Sequence, residues 1–379
     1  MTTVLLAGSL GAGWWYTMRL LKASTPAPPP LEALVVPAAP ASPLQIHYQL
    51  EVPGRGEIFP ALAGGAAADY WPVAVLAITN GGDHPLVQTI YAEIPGWSTR
   101  AEQTLVVAAR TTERLTISPE LLPRAYDNQE IRRANLEVGV RDPAGGSGYS
   151  QRRPVYLHSA SDLFWGKRFS NAQFIARWVT PHDAAVLRLV SEARRYALNG
   201  RLPGYNQPQG RGNGLSRQVR RQTRDVFEAL KHTGISYVSS IFAFGSFTGE
   251  AQRIRLPEET LTLSTANCID VSVAFASAIE NLGMNPVIVI VPGHAFAGVR
   301  LGPDSQDKLY LDLTVLPRGT FEQAVARADA WLKKTPTDQV LMIDIAAARA
   351  LRIYPIPQPE KAANVAERMP VNPPLSRRP

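Results

Sequence analysis

The stretch of sequence that decides the fold runs Asn267-Cys268-Ile269-Asp270-Val271-Ser272-Val273-Ala274-Phe275-Ala276-Ser277-Ala278-Ile279-Glu280-Asn281-Leu282-Gly283. Its apolar residues recur at the i, i+3, i+4 spacing of an amphipathic helix. Asn267 is a favourable N-cap and Asp270 completes a capping box, while Gly283 is typical of the position just past a helix C-terminus. We therefore predict a helix that begins at Cys268 and ends before Gly283.

Cys268 is the only cysteine among the 379 residues, and it occupies the first position of this predicted helix. The unpaired N–H groups and the macrodipole at a helix N-terminus favour the thiolate, which is the nucleophilic form of cysteine. The same N–H groups can stabilise an oxyanion. We therefore expect an activated thiol that reacts with iodoacetamide below the pH at which a free thiol reacts. The alternative role is that of a small buried apolar residue.

The helix is followed by two predicted strands, 287–291 and 294–300, and a turn centred on Pro303 leads into a third strand. If the hairpin folds about Pro303, His294 lies opposite Asp312. Opposed residues on paired strands have Cβ atoms ~4.5–5.5 Å apart. The sequence therefore predicts direct contact between the imidazole of His294 and the carboxylate of Asp312.

A cysteine, a histidine and an aspartate in this order form a nucleophile, a general base and a group that orients the base. The pattern predicts acyl transfer through Cys268, His294 and Asp312. The histidine could instead be structural, and the aspartate could simply pair with an arginine. A zinc site is less well supported, because the chain has no second cysteine and no paired-histidine motif near these residues.

Residues 234–316 resemble the transglutaminase-like superfamily of papain-fold enzymes, in particular its bacterial members. The stretches that carry the resemblance are Gly234-Ile235-Ser236-Tyr237, Gln252-Arg253-Ile254-Arg255-Leu256-Pro257-Glu258-Glu259-Thr260-Leu261, Ala266-Asn267-Cys268-Ile269-Asp270, Gly293-His294-Ala295-Phe296 and Tyr310-Leu311-Asp312-Leu313-Thr314. The family pattern is Gly-x-Cys-x-Asp, a helix, His-Ala-Trp, and a strand with Asp. Here Ala266 replaces the glycine and Phe296 replaces the tryptophan.

The resemblance implies an α+β, papain-like catalytic domain with Cys268 as nucleophile, His294 as general base and acid, and Asp312 as the orienting group. It also implies a second oxyanion donor, for which Tyr237 is the best match and Gln252 the second choice. A peptide or protein substrate and no cofactor or metal are expected, although some family members require calcium.

The superfamily includes cross-linking transferases, proteases, deglycosylating amidases and inactive members, so the reaction is not settled by the triad. Phe296 and its small neighbours Ala295, Ala297 and Gly298 favour an open site, and hence hydrolysis over cross-linking. The alternatives are a transglutaminase in activity and a catalytically silent binding or scaffold module.

Residues 44–158 are predicted to form a β domain, because short segments of alternating apolar and polar residues are separated by turns. The predicted strands are Leu44–Val52, Val73–Thr79, Val87–Ile94, Leu105–Val107, Arg114–Ile117, Leu136–Arg141 and Pro154–His158. Their number and spacing predict an all-β, immunoglobulin-like sandwich. The catalytic domain then spans 159–357, with further helices predicted at 180–199, 215–232 and 321–334 and a strand near 340–345.

The N-terminus carries an uncharged apolar run from Thr2 to Met18, which includes Trp14, Trp15 and Tyr16. This run predicts a membrane anchor over residues 1–22; a poorly ordered hydrophobic terminus is the alternative. A Pro/Ala-rich linker follows at 23–43, and the Pro- and charge-rich tail at 358–379 is expected to be disordered. Arg19 and Lys22 favour a cytoplasmic catalytic domain, whereas the spacer and β domain are more familiar in the periplasm, so the orientation stays open.

The formal net charge is +7, and five arginines cluster between residues 211 and 224. These are Arg211, Arg217, Arg220, Arg221 and Arg224. The interleaved aromatic residues of a nucleic-acid surface are missing from this region of the sequence, so we interpret the cluster as the solvated face of a helix and expect no nucleic-acid partner.

Overall fold

The computed structural model describes residues 46–63, 71–141, 148–206, 214–238 and 251–357. The predicted anchor (1–22), linker (23–43) and tail (358–379) lie outside the described residues. Within the described ranges, no helix is both long and apolar enough to cross a membrane.

Two antiparallel sheets build the first half. Their strands are β1 (Ile46–Glu51), β2 (Glu57–Ile58), β3 (Ala74–Asn80), β4 (Leu86–Glu93), β5 (Ala101–Val107), β6 (Thr112–Ile117), β7 (Arg132–Arg141) and β8 (Ser150–Leu157), and a short helix α1 (Pro123–Tyr126) precedes β7. The sheet orders are β1-β3-β6 and β2-β8-β7-β4-β5, and among the described strand pairs of these two sheets only β2–β8 is parallel. All strands predicted here are present, and β2 is an additional one.

Alternation along each strand gives these two sheets a common core. Leu76 and Ile78 of β3 share one buried cluster with Ile90 of β4 and Leu136 of β7, which belong to the other sheet. Side chains of a strand point alternately to opposite faces, so the apolar faces of both sheets meet in this cluster. The predicted packing of two sheets is therefore observed, whereas the immunoglobulin-like class stays a prediction.

The second half is mixed α and β. Its elements are β9 (Asp162–Phe164), α2 (Ala184–Ala193), α3 (Gly214–His232), β10 (Ser236–Tyr237), β11 (Ala251–Arg253), α4 (Pro257–Leu263), β12 (Thr265–Ala266), α5 (Cys268–Asn281), β13 (Pro286–Val291), β14 (His294–Arg300), β15 (Lys308–Leu311), α6 (Phe321–Lys334), β16 (Leu341–Asp344) and α7 (Ile345–Ala350). The sheet order β15-β14-β13-β16 places the histidine strand β14 in the interior of the sheet.

Helices cover both faces of this four-stranded sheet. Ile290 and Ala295 face α5, because they share a buried cluster with Ile269. Val289 and Phe296 share another cluster with Ala328 of α6. Because successive side chains of a strand point to opposite faces, neighbouring residues of β13 and β14 pack against different helices, α5 on one face and α6 on the other.

The helix α5 forms as predicted. The Asn267 side chain accepts hydrogen bonds from the N–H groups of Ile269 and Asp270, and the carboxylate of Asp270 accepts one from Asn267 N–H, which completes the capping box. Gly283 follows the helix with φ of 70°, a conformation that favours glycine. The cap fixes Cys268 as the first helical residue.

The predicted register of the β14–β15 hairpin is wrong. Ala297 pairs with Leu311 and Gly298 with Tyr310, so the hairpin folds about residue 304, one position past Pro303. Asp312 therefore follows the end of β15 and lies diagonally from His294. The prediction of contact survives because moving the turn centre by one residue shifts the partners by two, which keeps both side chains on the same face.

The predicted helix at 180–199 is also wrong in its bounds. Helix α2 covers only Ala184–Ala193, and its N-cap is Asp183, whose side chain accepts from Ala185 N–H. Thr180 N–H instead donates to Ser277 Oγ, so tertiary contact with α5 holds this residue outside the helix. Gly200 ends a separate short turn.

The two halves of the chain meet through a shared core and a side-chain hydrogen bond. Phe59 and Leu62, which follow β2, belong to the buried cluster that contains Cys268. Strand β9 pairs with β11, and Arg253 of β11 donates to Gln129 of the first half at 2.7 Å. The 59–62 segment thus contributes apolar side chains to the core of the second half.

His158 lies at this junction between two carboxylates. Its Nε2 contacts Glu57, its Nδ1 lies 3.6 Å from Asp162 Oδ2, and its ring stacks on Phe59 with centroids 4.0 Å apart. Burial acts to lower the pKa of His158, but the hydrogen bonds and charges of Asp162 and Glu57 outweigh it, so the pKa lies above its usual value. Protonated His158 therefore links β2, β8 and β9.

We expect this link to make stability depend on pH. A histidine whose pKa is raised on folding stabilises fully below its unfolded pKa of about 6.5 and loses that effect as the pH rises through the folded value. His158→Gln should therefore cost about 2–4 °C more in Tm at pH 6 than at pH 9. Thermal unfolding of both proteins at several pH values measures this. The exposed His182, replaced by Gln, is the control, and a Tm loss at His158 that does not vary with pH would contradict the prediction.

Candidate active site

Cys268 lies at the N-terminus of α5 and is fully buried. The N–H of Ala295 on β14 hydrogen-bonds its sulfur. Burial raises the pKa of the Cys268 thiol to about 12, and the carboxylates of Asp312 and Asp270 act in the same direction, while the N–H groups of Ala295 and of Cys268 itself oppose the shift. The expected thiolate is therefore not the stable form here, because desolvation outweighs the helix N-terminus.

This burial reverses the alkylation behaviour expected from the sequence. At pH 8 the folded chain should react with iodoacetamide at least about tenfold more slowly than the same chain in denaturant, since only the thiolate reacts and burial disfavours it. Mass spectrometry after timed quenching measures this cleanly, because the chain has one cysteine. A folded protein that reacts faster than the unfolded one at pH 6 would show that Cys268 is a thiolate in the resting protein.

His294 and Asp312 are in direct contact. His294 Nε2 lies 3.0 Å from Asp312 Oδ2, and both residues are buried. The imidazole also stacks on the indole of Trp331 from α6, with ring centroids 4.7 Å apart and planes inclined by 26°. The ring is thereby fixed on one side by a carboxylate and on one face by an aromatic plane, as a positioned general base requires.

Asp312 receives donors on both of its oxygens. Thr314 donates to Oδ1 through its backbone N–H at 3.1 Å and its hydroxyl at 2.6 Å. Trp331 Nε1–H donates to Oδ2 at 3.2 Å, and Arg327 Nε lies 3.0 Å from the same oxygen. Burial acts to raise the pKa of Asp312, but the hydrogen bond from His294, the charge that this ring carries when protonated and the bonds from Thr314 outweigh burial and hold the pKa below its usual value. The carboxylate is therefore ionised at neutral pH.

The structure brings Cys268 close to this pair without joining it to the imidazole. Within the described ranges, the hydrogen bonds of the His294 ring lead to Asp312 and none leads to the Cys268 sulfur. Ala295, whose side chain faces α5, bonds the sulfur through its backbone, while His294 and Phe296 face α6. The thiol therefore contacts the backbone of β14 at the residue next to His294, and not the imidazole itself.

Tyr237 lies near Cys268, at the protein surface. It pairs with Ala266 in the parallel β10–β12 ladder, and its side chain is 43 % exposed. Burial raises the pKa of Tyr237, the nearby Cys268 and Asp312 add to the shift, and Arg327 opposes it. The phenol therefore lies close enough to Cys268 and Asp312 for their charges to act on it.

Gln252 is the other predicted oxyanion donor, and it is buried on β11. Its Oε1 accepts from Trp165 Nε1–H at 3.1 Å, which leaves Nε2 turned away from the indole, and among the described residues Nε2 has no hydrogen-bond partner. Trp165 and the neighbouring Ile254 share the buried cluster of Cys268. A buried NH₂ group without a hydrogen-bond partner lowers the stability of the fold unless a ligand or water accepts from it. The NH₂ group of Gln252 is therefore available to donate to a ligand in this region.

Three residues of the site were not predicted from the sequence: Thr314, Arg327 and Trp331. Arg327 and Trp331 are four residues apart on α6, and Ala324, one turn earlier, accepts the backbone N–H of Asp312 at 3.0 Å. Three positions along α6 therefore contact Asp312: the carbonyl oxygen of Ala324 and the side chains of Arg327 and Trp331. An i, i+4 cation–aromatic pair on an amphipathic helix is a weak signal, because it also suits a solvated face.

No family model matches this chain, and no curated protein matches it at a significant level. Within the described ranges, no group of three or more histidine, cysteine or acidic side chains is arranged to hold a metal ion.

Proposed function

We propose that this protein is a cysteine-dependent acyl-transfer enzyme that cleaves peptide or carboxamide bonds through a thioester on Cys268. The observation that carries the proposal is the buried His294–Asp312 pair at 3.0 Å beside the capped N-terminus of the cysteine helix. A nucleophile at a helix N-terminus, a base and an orienting carboxylate are the parts that this chemistry needs. The resemblance to transglutaminase-like enzymes points to the same reaction class.

The first half-reaction transfers the Cys268 proton to His294 as the sulfur attacks the amide carbon. Because the resting thiol is buried and protonated, attack and proton transfer are coupled. The sulfur must turn from Ala295 N–H toward the imidazole for this step. His294 then donates the proton to the leaving amine, which departs as the C–N bond breaks. Water, deprotonated by the same imidazole, resolves the thioester to a carboxylic acid and the free thiol.

The oxyanion formed in each half-reaction requires donors that are in place beforehand. The N–H groups at the start of α5 supply one part. Gln252 Nε2 supplies the other better than the Tyr237 hydroxyl does, since it is buried and without a partner among the described residues, whereas Tyr237 is exposed.

We propose hydrolysis as the main outcome, although Phe296 does not open the site as its sequence position predicts. Phe296 is fully buried against α6, so it does not line an open channel for an amine acceptor. Support comes instead from the neighbouring surface, where Tyr237 and Val238 are 43 % and 44 % exposed, so water reaches the protein surface beside the buried Cys268. Water competes effectively with amines unless the site excludes it.

A catalytically silent binding module is the second candidate. The buried thiol and the lack of a hydrogen bond between Cys268 and His294 among the described residues favour it. Such a module would keep the fold and the His294–Asp312 pair without turning over an amide.

One partition assay tests these alternatives. Full-length protein is incubated with a glutamine-containing peptide library and a labelled primary amine, and mass spectrometry follows cleavage, ammonia release and label incorporation. We expect cleavage or ammonia release to dominate and to vanish in Cys268→Ser. Activity that persists in Cys268→Ser would remove the cysteine mechanism, dominant label incorporation would make the protein a transglutaminase, and an inert wild type would favour the silent module.

A further inference from the structure

One oxygen of Asp312 is shared by donors from two elements. Oδ2 lies 3.0 Å from His294 Nε2, 3.2 Å from Trp331 Nε1 and 3.0 Å from Arg327 Nε. Thr314 occupies the other oxygen. A carboxylate offers about four acceptor sites, so this one is fully used. Of its five contacts, only the guanidinium carries a permanent positive charge.

We propose that Arg327 is a positioning residue, which shares the negative charge of Asp312 and so keeps the His294 imidazole in the free-base form. The inference rests on the proposed function, because it assigns Arg327 a role in the state of the catalytic base. A carboxylate alone beside an imidazole favours the imidazolium. A guanidinium on the same oxygen repels that second cation, and the balance moves toward the neutral ring.

The neutral ring is the form that the proposed mechanism needs. His294 has to accept the Cys268 proton, which it can do only if it does not already hold one. A buried, protonated thiol together with a free-base imidazole is one consistent resting state, and the Arg327–Asp312 ion pair favours it. Without Arg327, the uncompensated carboxylate would draw a proton onto the ring and remove the base.

The other charged or titratable groups around the pair come from each element packed against it. Cys268 and Asp270 lie on α5, Tyr237 on β10, and Lys334 on α6. Lys334 Nζ lies over the Trp331 ring, 3.4 Å from its centroid, and this ring also stacks on His294. Among the described residues, Arg327 is the cation that contacts Asp312 directly.

The Arg327 side chain is 55 % exposed, which makes it suitable for substitution. Its replacement leaves no large cavity, and the indole of Trp331 and the backbone of Ala324 still hold Asp312. The same exposure screens the guanidinium, so we expect an effect of about one pH unit and not the larger shifts of buried pairs.

The test is a titration of the full-length chain labelled with ¹³C-histidine. The chain has six histidines, and His294→Gln assigns the resonance of interest. In Arg327→Gln, the pH midpoint of that resonance should move upward by about one unit relative to wild type. Arg327→Lys, which keeps the charge, should move it less. Lys333→Gln removes a cation from the same helix and should leave the midpoint unchanged. Arg327→Met, which keeps the apolar stem, replaces Arg327→Gln if that variant does not fold.

An unchanged midpoint in the charge-removing variant, or an equal shift in Lys333→Gln, would overturn the assignment. Where turnover is measurable, the acid limb of the kcat profile should move upward with the midpoint, a change that mere loosening of α6 would not produce. The titration needs no substrate. A chain that cleaves no amide but shows the shift would lose the proposed function and keep this role of Arg327.

Discussion

Replacing Asp312 with asparagine is expected to lower kcat by roughly 10³- to 10⁴-fold while the fold is kept. The carboxylate is hydrogen-bonded by four donors, on Thr314, Trp331 and His294, and it forms an ion pair with Arg327. An asparagine has one acceptor oxygen and one NH₂ group. In either orientation, its NH₂ group therefore faces donors that a carboxylate oxygen accepts from in the wild type. If the NH₂ faces His294, the ring must accept at Nε2 and carry its proton on the other nitrogen. That nitrogen could then no longer take the thiol proton.

The opposite orientation of the amide also weakens catalysis, because a neutral oxygen does not stabilise the imidazolium that forms during attack. Steady-state kinetics on a substrate found in the partition assay measures the loss, and circular dichroism shows whether the fold is kept. Thr314→Val is the matched control: it removes one hydroxyl donor and leaves the charge, so kcat should fall by less than about tenfold. An Asp312→Asn enzyme within tenfold of wild type would show that Asp312 is not the third catalytic residue.

Local sequence signals predicted the parts of the site that interactions between residues close in sequence determine. The capping box at Asn267 and Asp270 and the helix stop at Gly283 are short-range features, and the structure has each of them. The strands β13 and β14 were likewise predicted from local sequence, at 287–291 and 294–300. The contact between His294 and Asp312 was predicted from the wrong register, and it forms because a diagonal pair on one face is still within reach of an imidazole.

Features that depend on distant packing could not be read from the sequence. The pKa of Cys268 is set by burial in a cluster whose members are spread along the chain between Phe59 and Ile356. The position of Cys268 at a helix N-terminus gives no sign of this burial. Phe296 matched a motif position yet faces α6. Arg327 and Trp331 lie beyond the stretch with family resemblance, and their contact with Asp312 requires α6 to pack on the sheet. Periodicity places residues on a face, but it does not say which face meets the site.

Gln252→Leu is expected to lower kcat by roughly 10²- to 10³-fold, the loss typical of removing one oxyanion donor. The orientation of the amide is fixed by Trp165, because an indole N–H can only donate and therefore selects Oε1. The NH₂ group must then point away from the indole, where it finds no partner among the described residues. Strand β11 leads directly into Arg255, whose N–H donates to Asp270 Oδ1 at 3.0 Å, so β11 is tied to the first turn of the cysteine helix.

Tyr237→Phe decides between the two predicted donors, since it removes only the hydroxyl of an exposed side chain. If Gln252 is the donor, this variant should keep kcat within about tenfold of wild type, while Gln252→Leu loses much more. The loss at Gln252 should appear in kcat and not in KM, because an oxyanion donor acts on the transition state and hardly on the bound amide. The opposite ranking would make Tyr237 the donor. Its raised pKa would then be functional, because a phenol that keeps its proton beside Cys268 and Asp312 stays able to donate it to a developing negative charge.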